Sequence, residues 1–148
     1  AAPVVATANV CAVGRGLAAE RGLADRVTAR AADSLADPLP AGFDVVVACD
    51  VNIYTEGLFA KVAEALVEGG RFLIIDEFAP DDRTAPPNRA HWALDASLHD
   101  TDHAMPSLGG VKALLEGAGL RLENVKVLEP LPDSERYRED LTLLVARR

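Results

Sequence analysis

Residues Val10 to Gly22 read VCAVGRGLAAERG, and the fold depends on how the two glycines in this stretch are used. Gly14 and Gly16 fit the G-x-G-x-x-A pattern of a dinucleotide-binding loop, which requires a strand before it and a helix after it. The next strand-like run begins at Arg26, so the helix after such a loop would have fewer than two turns. A crossover between parallel strands needs roughly 10–12 residues or more, which argues against the loop.

Apolar residues in the same region recur at helical spacing. Ala6, Val10, Val13 and Leu17 step by four, three and four residues, which predicts one amphipathic helix over Ala8–Arg21 with this apolar face. Each glycine inside a helix costs about 1 kcal/mol, which a buried face can offset. The helix is the preferred interpretation, and an NAD-type Rossmann enzyme that uses the glycines as a cofactor loop remains the alternative.

Strand-like and helix-like runs alternate through the rest of the chain. The predicted strands are Arg26–Ala31, Phe43–Cys49, Arg71–Phe78, Leu122–Leu128 and Leu141–Ala146. The predicted helices are Glu56–Glu68, which Gly69 and Gly70 end, and Leu108–Ala118, which Ser107 caps. This order predicts an α/β fold with a mostly parallel sheet and a C-terminal antiparallel hairpin.

Size and composition limit the possible classes of protein. The 148 residues predict a single domain, and the net charge of −8 argues against nucleic acid or an anionic membrane as the main partner. No apolar run is long enough to span a bilayer. The two cysteines lack a C-x-x-C spacing, so two reduced thiols in a cytoplasmic protein are expected.

The segment from Ala79 to Pro106 interrupts the alternation. It is long for a connection in a compact domain, and it carries all three histidines and the only tryptophan. Connections of this length are usually functional lids or disordered, and we interpret this one as a lid-like insertion at 79–106.

Three stretches of the chain resemble one known family. They are GLADRVTARAADSLADPLPAGFDVVVACDV (Gly22–Val51), EALVEGGRFLIIDEF (Glu64–Phe78), and VKALLEGAGLRLENVKVL, which LTLLVARR follows later. They are similar, in this order, to the class I S-adenosylmethionine (SAM) dependent methyltransferases, and most of all to the small-molecule O-methyltransferase group. The resemblance covers nearly the whole chain. It implies a partial Rossmann-like methyltransferase sheet, SAM as cofactor and methyl transfer to a small-molecule acceptor, with an oxygen as the expected target.

The resemblance also places the opening residues, AAPVVATAN, just after the family's second strand. The family's glycine-rich loop and ribose-binding acid would then precede the chain, which would be an N-terminally truncated catalytic domain. A non-catalytic, methyltransferase-like remnant or binding module is the second alternative. Because the sheet would then have an open edge, we expect self-association into a homo-oligomer.

Candidate cofactor-binding residues follow from the same resemblance. Asp33 matches an acidic position that accepts a hydrogen bond from the adenine amino group, and Ser34 is its neighbour. The alternative for Asp33 is a turn-capping role. Cys49, Asp50 and Val51 end a predicted central strand, where ligands of open α/β sheets bind.

Candidate catalytic residues are less well matched. Glu77 fits a family glutamate that orients a catalytic histidine, but that histidine is missing from this sequence, so a solvated strand-end acid is the alternative. His99 in the insertion is the proposed substitute base, since its pKa lies near neutrality. His99 and His103 could also hold a divalent metal with nearby aspartates, but this pattern is weak and we predict no metal site.

Overall fold

The computed structural model describes residues 2–51, 53–79, 81, 94, 98, 106–128 and 141–148. These form two compact units, one up to Leu39 and the other from Pro40 onwards. The prediction of a single domain stays a prediction. No helix among the described residues is long and apolar enough to cross a bilayer.

The first unit is one β-α-β crossover. Strand β1 (Ala2–Ala6) leads into helix α1 (Ala8–Glu20), and strand β2 (Val27–Ala31) returns parallel to β1. The expectation that the opening residues follow a strand is wrong, because they form one. Pro3 obscured it, since a proline within a run argues against a strand unless one side of the strand is unpaired.

Helix α1 confirms the preferred interpretation of the glycine stretch, because Gly14 and Gly16 both lie inside it. This contradicts the dinucleotide-loop alternative. The predicted buried face is wrong, however: Val10, Val13 and Leu17 are 52–63% exposed. Helix α1 instead buries the small side chains of Cys11 and Ala18, which are seven residues apart and therefore share a face.

We predict that Gly16→Ala stabilises the chain. A Cβ at Gly16 meets nothing within 4 Å, and alanine favours a helix over glycine by about 1 kcal/mol. Urea denaturation should therefore show a gain of about 0.5–1 kcal/mol in the free energy of unfolding. The control is Gly22→Ala, which should destabilise because Gly22 has a φ of 65°. A loss of stability in Gly16→Ala would contradict the helix.

The second unit is a four-stranded mixed sheet with two helices. Its elements are β3 (Phe43–Cys49), α2 (Glu56–Ala65), β4 (Leu66–Asp76), α3 (Leu108–Gly117), β5 (Arg121–Val127) and β6 (Thr142–Arg147). The strand order is β3-β4-β6-β5. The β3–β4 pair is parallel, whereas β4–β6 and β5–β6 are antiparallel. The predicted α/β fold class and the antiparallel C-terminal pair are confirmed.

The boundary between α2 and β4 differs most from the prediction, and the other element ends differ by one or two residues at most. Helix α2 ends at Ala65 rather than Glu68, and β4 begins at once at Leu66. Both glycines therefore lie within the strand. Gly69 has a φ of 76°, and a Cβ at Gly70 would lie 2.9 Å from the carbonyl oxygen of Val67. The pairing register shifts here, so the glycines form an irregularity in the strand rather than a helix stop.

The core lies on one face of this sheet. Phe72 and Ile74 of β4 are buried, together with Phe59 of α2 and Leu115 of α3. Side chains cap both helices: Thr55 Oγ1 accepts from the N–H of Leu58, and the predicted cap Ser107 accepts from the N–H of Gly110. These contacts fix where α2 begins, and with it the loop that connects β3 to α2.

Candidate functional site

The carboxyl ends of the parallel strands β3 and β4 lie side by side, and polar residues follow both. The chain leaves β3 at Asp50, whose φ of 55° is unusual for a residue other than glycine. Aspartate is among the few residues that tolerate this left-handed conformation. The N–H of Asp50 donates to the carbonyl oxygen of Ile75 at 3.0 Å, so the turn starts directly at the sheet.

Asp76, the last residue of β4, holds this turn in place through hydrogen bonds to its side chain. Its side chain is fully buried, and Oδ2 accepts hydrogen bonds from the N–H of Val51 at 3.1 Å and from the hydroxyl of Tyr54. Oδ1 accepts from the N–H of Glu77 at 2.8 Å. A buried carboxylate is tolerated only when it is hydrogen-bonded in this way. Asp76 therefore joins the end of β4 to the loop after β3.

Tyr54 is the second member of this pair. Burial, together with the hydrogen bond to Asp76 and its negative charge, raises the pKa of the Tyr54 hydroxyl well above its usual range. The phenol therefore stays protonated and donates to Asp76. Its ring packs edge-on against Phe59, with centroids 5.9 Å apart, and also contacts Phe78. The loop is thus tied to the apolar core as well as to β4.

The predicted residues Cys49, Asp50 and Val51 lie together at this strand end. The backbone N–H groups of Asp50 and Val51 are both engaged within the protein, so neither can donate to a ligand. Cys49 is exposed with a free thiol. Glu77 is half-buried one residue beyond Asp76. Sequence reasoning emphasised Glu77 and missed the Asp76–Tyr54 pair, because nothing in the pattern IIDEF distinguishes the buried acid from its neighbour.

In the first unit, Asp33 caps a turn. Its Oδ1 accepts from the N–H of Leu35 at 2.8 Å and from the N–H of Ala36 at 3.4 Å. Asp37 reciprocates, because its Oδ2 accepts from the N–H of Asp33 at 2.9 Å. The capping role named as the alternative is therefore present. It uses one oxygen of the exposed Asp33 carboxylate, and Ser34 beside it is half-buried.

The proposed base, His99, lies outside the described residues, as do His91, His103 and Trp92. The two ends of the 79–106 segment are described and lie together: the N–H of Ala79 donates to the carbonyl oxygen of Pro106 at 2.9 Å. In the parts of the chain that the structure describes, no group of three or more metal-binding side chains occurs.

Comparisons with known proteins find methyltransferases. No protein-family model matches the chain. The chain is 33% identical over 97 residues to 3-hydroxy-5-methyl-1-naphthoate 3-O-methyltransferase of Streptomyces sahachiroi, covering 62% of this chain and 28% of that protein. It is 37% identical over 98 residues to L-tyrosine C(3)-methyltransferase of Streptomyces lavendulae, covering 63% and 25%. The chain thus spans about a quarter of these relatives.

Solved structures agree with these relatives. An O-methyltransferase family 2 protein from Planctomyces limnophilus, in complex with apigenin, is 26% identical with a TM-score of 0.77, and the match covers 98% of this chain and 42% of that one. The SAM-dependent methyltransferase SibL is 27% identical with a TM-score of 0.70, covering 99% and 42%. The resemblance to small-molecule O-methyltransferases predicted from the sequence is confirmed, and so is the class I methyltransferase fold.

Proposed function

We propose that the protein to which this chain belongs transfers a methyl group from SAM to a small-molecule acceptor, most simply to a phenolic oxygen. The relative from Streptomyces sahachiroi is named for methylation of an aromatic hydroxyl, and the P. limnophilus structure contains the phenol apigenin. The observation that carries the proposal is the polar end of β3 and β4, placed where open α/β sheets bind ligands.

SAM would supply an activated methyl group on a positively charged sulfur. Each compact unit, taken by itself, has residues that suit one group of this cofactor. Asp33 has a carboxylate oxygen, Oδ2, beyond the one that caps the turn, and an acceptor of this kind suits the adenine amino group, which is a donor. At the end of β3, the donors of Asp50 and Val51 are engaged, so carbonyl oxygens such as that of Cys49 suit the ammonium group of the cofactor.

Methyl transfer needs alignment of the acceptor with the methyl group more than it needs covalent help from the protein. Asp76 provides part of this alignment by holding Val51 and Tyr54 in the connection between β3 and α2. Tyr54 is not the base that takes the acceptor proton, since its phenol stays protonated. We propose His99, in the 79–106 segment, for that task, and Glu77, directly after β4, as the carboxylate that would orient its imidazole.

Calorimetry with SAM and with NAD tests the function. Two proteins are compared: the chain as given, and the chain extended upstream along its gene. We expect SAM to bind to the extended protein, and we expect NAD to bind to neither protein. Failure of both proteins to bind SAM would favour a remnant without methyltransferase activity, and binding of NAD would restore the Rossmann alternative.

Asp33→Asn separates the two roles of Asp33. An asparagine keeps the side-chain oxygen that caps the turn, but it replaces the second oxygen with a donor that cannot accept from adenine. We expect about a tenfold rise in the Kd for SAM, which corresponds to about 1.4 kcal/mol, with unchanged stability. The control is Asp37→Asn in the same turn, which should leave the Kd unchanged. Equal effects of the two variants would contradict adenine binding by Asp33.

We further propose a cytoplasmic location, which the free thiols of Cys11 and Cys49 support.

A further inference from the structure

On the basis of the proposed function, we propose that Asp81 is a positioning residue for methyl transfer, because it ties the chain that leaves β4 to the start of α3. Asp81 Oδ1 accepts a hydrogen bond from the N–H of Gly109 at 2.6 Å. A hydrogen bond to a charged carboxylate is stronger than one between neutral groups. Asp81 follows Glu77, the acid proposed to orient the base, by four residues. The contact therefore holds the chain close to the candidate site.

The first turn of α3 takes two of its hydrogen-bond acceptors from the segment after β4. The first N–H groups of a helix have no partner within the helix. The N–H of Leu108 donates to the carbonyl oxygen of Ala79 at 3.2 Å, and the N–H of Gly109 donates to Asp81. Ser107, the local cap, accepts from a third N–H at 3.0 Å. The start of α3 thus binds residues 79 and 81 through its own free donors.

Gly109 leaves the space that the Asp81 contact needs. A Cβ at Gly109 would lie 2.6 Å from Asp81 Oδ1 and 2.9 Å from Asp81 Cγ, which is closer than Cβ atoms approach other atoms in proteins. The φ of Gly109 is not positive, so the helical backbone would accept another residue at this position. The close approach of the carboxylate is therefore the reason that glycine suits this place, and a side chain here would displace Asp81.

Glu77 lies in the chain between two fixed points. On one side, its N–H donates to Asp76 Oδ1 at 2.8 Å, at the end of β4. On the other side, Phe78 and Ala79 are buried, and Asp81 attaches the stretch to α3. A group that takes part in catalysis must be held to within about 0.5 Å of its productive position. Loss of the Asp81 contact should therefore misplace Glu77 without removing any group from the site.

Hydrogen exchange in the full-length protein tests whether Asp81 holds this stretch, and it does so without relying on activity. We expect Asp81→Ala to speed exchange of the N–H groups of Glu77 and Gly109 by about tenfold, because local opening no longer breaks the contact with α3. The N–H of the fully buried Leu144 in β6 is the internal control and should exchange at the wild-type rate. An unchanged rate at Glu77, or an equal rise at Leu144, would overturn the proposal.

Methyl transfer by the full-length protein tests the consequence, with radiolabelled SAM and with apigenin and 3-hydroxy-5-methyl-1-naphthoate as phenolic acceptors. Asp81→Ala and Gly109→Ala should each lower kcat by about tenfold and leave the Kd for SAM unchanged, because they disturb alignment rather than cofactor binding. Asp81→Asn keeps an acceptor oxygen for the N–H of Gly109, so it should retain most of the activity.

The matched control is Gly117→Ala in the same helix, where a Cβ meets nothing within 4 Å, and it should leave kcat unchanged. An active wild type with equally active Asp81→Ala and Gly109→Ala variants would overturn this role of Asp81 and leave the proposed function intact. A wild type that transfers no methyl group to either phenol would count against the proposed function itself, and the role of Asp81 in it would fall too.

Discussion

Asp76→Ala is expected to lower the free energy of unfolding by about 3 kcal/mol, because it leaves the N–H of Val51 and the hydroxyl of Tyr54 without their acceptor. Each buried polar group left unpaired costs about 1–3 kcal/mol. Urea denaturation measures the loss, and an unchanged m-value would indicate that the folded state keeps its compactness. A loss below about 1 kcal/mol would contradict the structural role of Asp76.

Tyr54→Phe is the control for this prediction. It removes the hydroxyl but keeps the ring against Phe59, so we expect a loss of only about 1 kcal/mol. The difference between this variant and the wild type should shrink as the pH rises above about 10. The phenol in the unfolded chain ionises there, whereas the raised pKa of Tyr54 keeps the folded phenol protonated, so only the wild type loses stability through this group.

In the full-length protein, substitutions of Asp76 and of Asp33 should have different effects on kcat and on the Kd for SAM. If Asp76 fixes the loop that aligns cofactor and acceptor, Asp76→Asn should lower kcat and raise the Kd for SAM even where the folded state is fully populated. Asp33 is proposed to contact only the adenine group and to take no part in aligning the acceptor, so Asp33→Asn should change the Kd with little change in kcat. Identical kinetic effects of the two substitutions would argue against distinct roles.

Much of the fold could be predicted from local patterns. The apolar run at Phe43–Cys49 predicted a strand correctly, although among the described residues that strand stands at the end of the four-stranded order rather than at its centre, and none of its residues is buried. Ser107 marked the start of α3 correctly. The glycines in α1 were assigned to a helix by counting residues, since too few follow Gly16 to form a crossover. These successes rest on chain length and periodicity, which do not depend on distant contacts.

The errors arise where tertiary contacts override local preference. Gly69 and Gly70 are normal helix stops in sequence, but the close approach of the Phe43 carbonyl oxygen to Gly70 makes them part of a strand irregularity. Val10, Val13 and Leu17 form the most apolar face of α1, yet the helix buries Cys11 and Ala18 instead. Periodicity identifies a face, but it does not determine which face the sheet contacts.

The sequence predicted where the candidate site lies, but it did not predict which residues form it. The rule that ligands bind at the carboxyl ends of parallel strands identified Cys49 to Val51 and the end of β4. It did not distinguish Asp76 from Glu77, because the alternation of side chains places one acid inside and the other at the surface, and only the pairing register decides which. The hydrogen bond between Tyr54 and Asp76 spans 22 residues and leaves no local signal.

Phe59→Ala is expected to have the largest effect on stability, a loss of about 3–5 kcal/mol. The Phe59 side chain is fully buried and packs edge-on against Phe72, with centroids 5.6 Å apart, and against Tyr54. Truncation removes its buried apolar surface and leaves a cavity between α2 and β4. Since domains are stable by about 5–15 kcal/mol, urea denaturation should show a severe shift of the midpoint. Val127→Ala, at an exposed position, should change stability by less than about 0.5 kcal/mol.

A double-mutant cycle then tests whether this core supports the loop. If the Tyr54 ring contributes through its edge-on contact with Phe59, the losses from Phe59→Ala and Tyr54→Ala should not add, and the coupling energy should be about 0.5–1.5 kcal/mol. Tyr54 would then be held by the aromatic core and by Asp76 together. Additive losses would mean that Tyr54 is held only by its hydrogen bond to Asp76, and that Phe59 stabilises the core without contributing to the position of Tyr54.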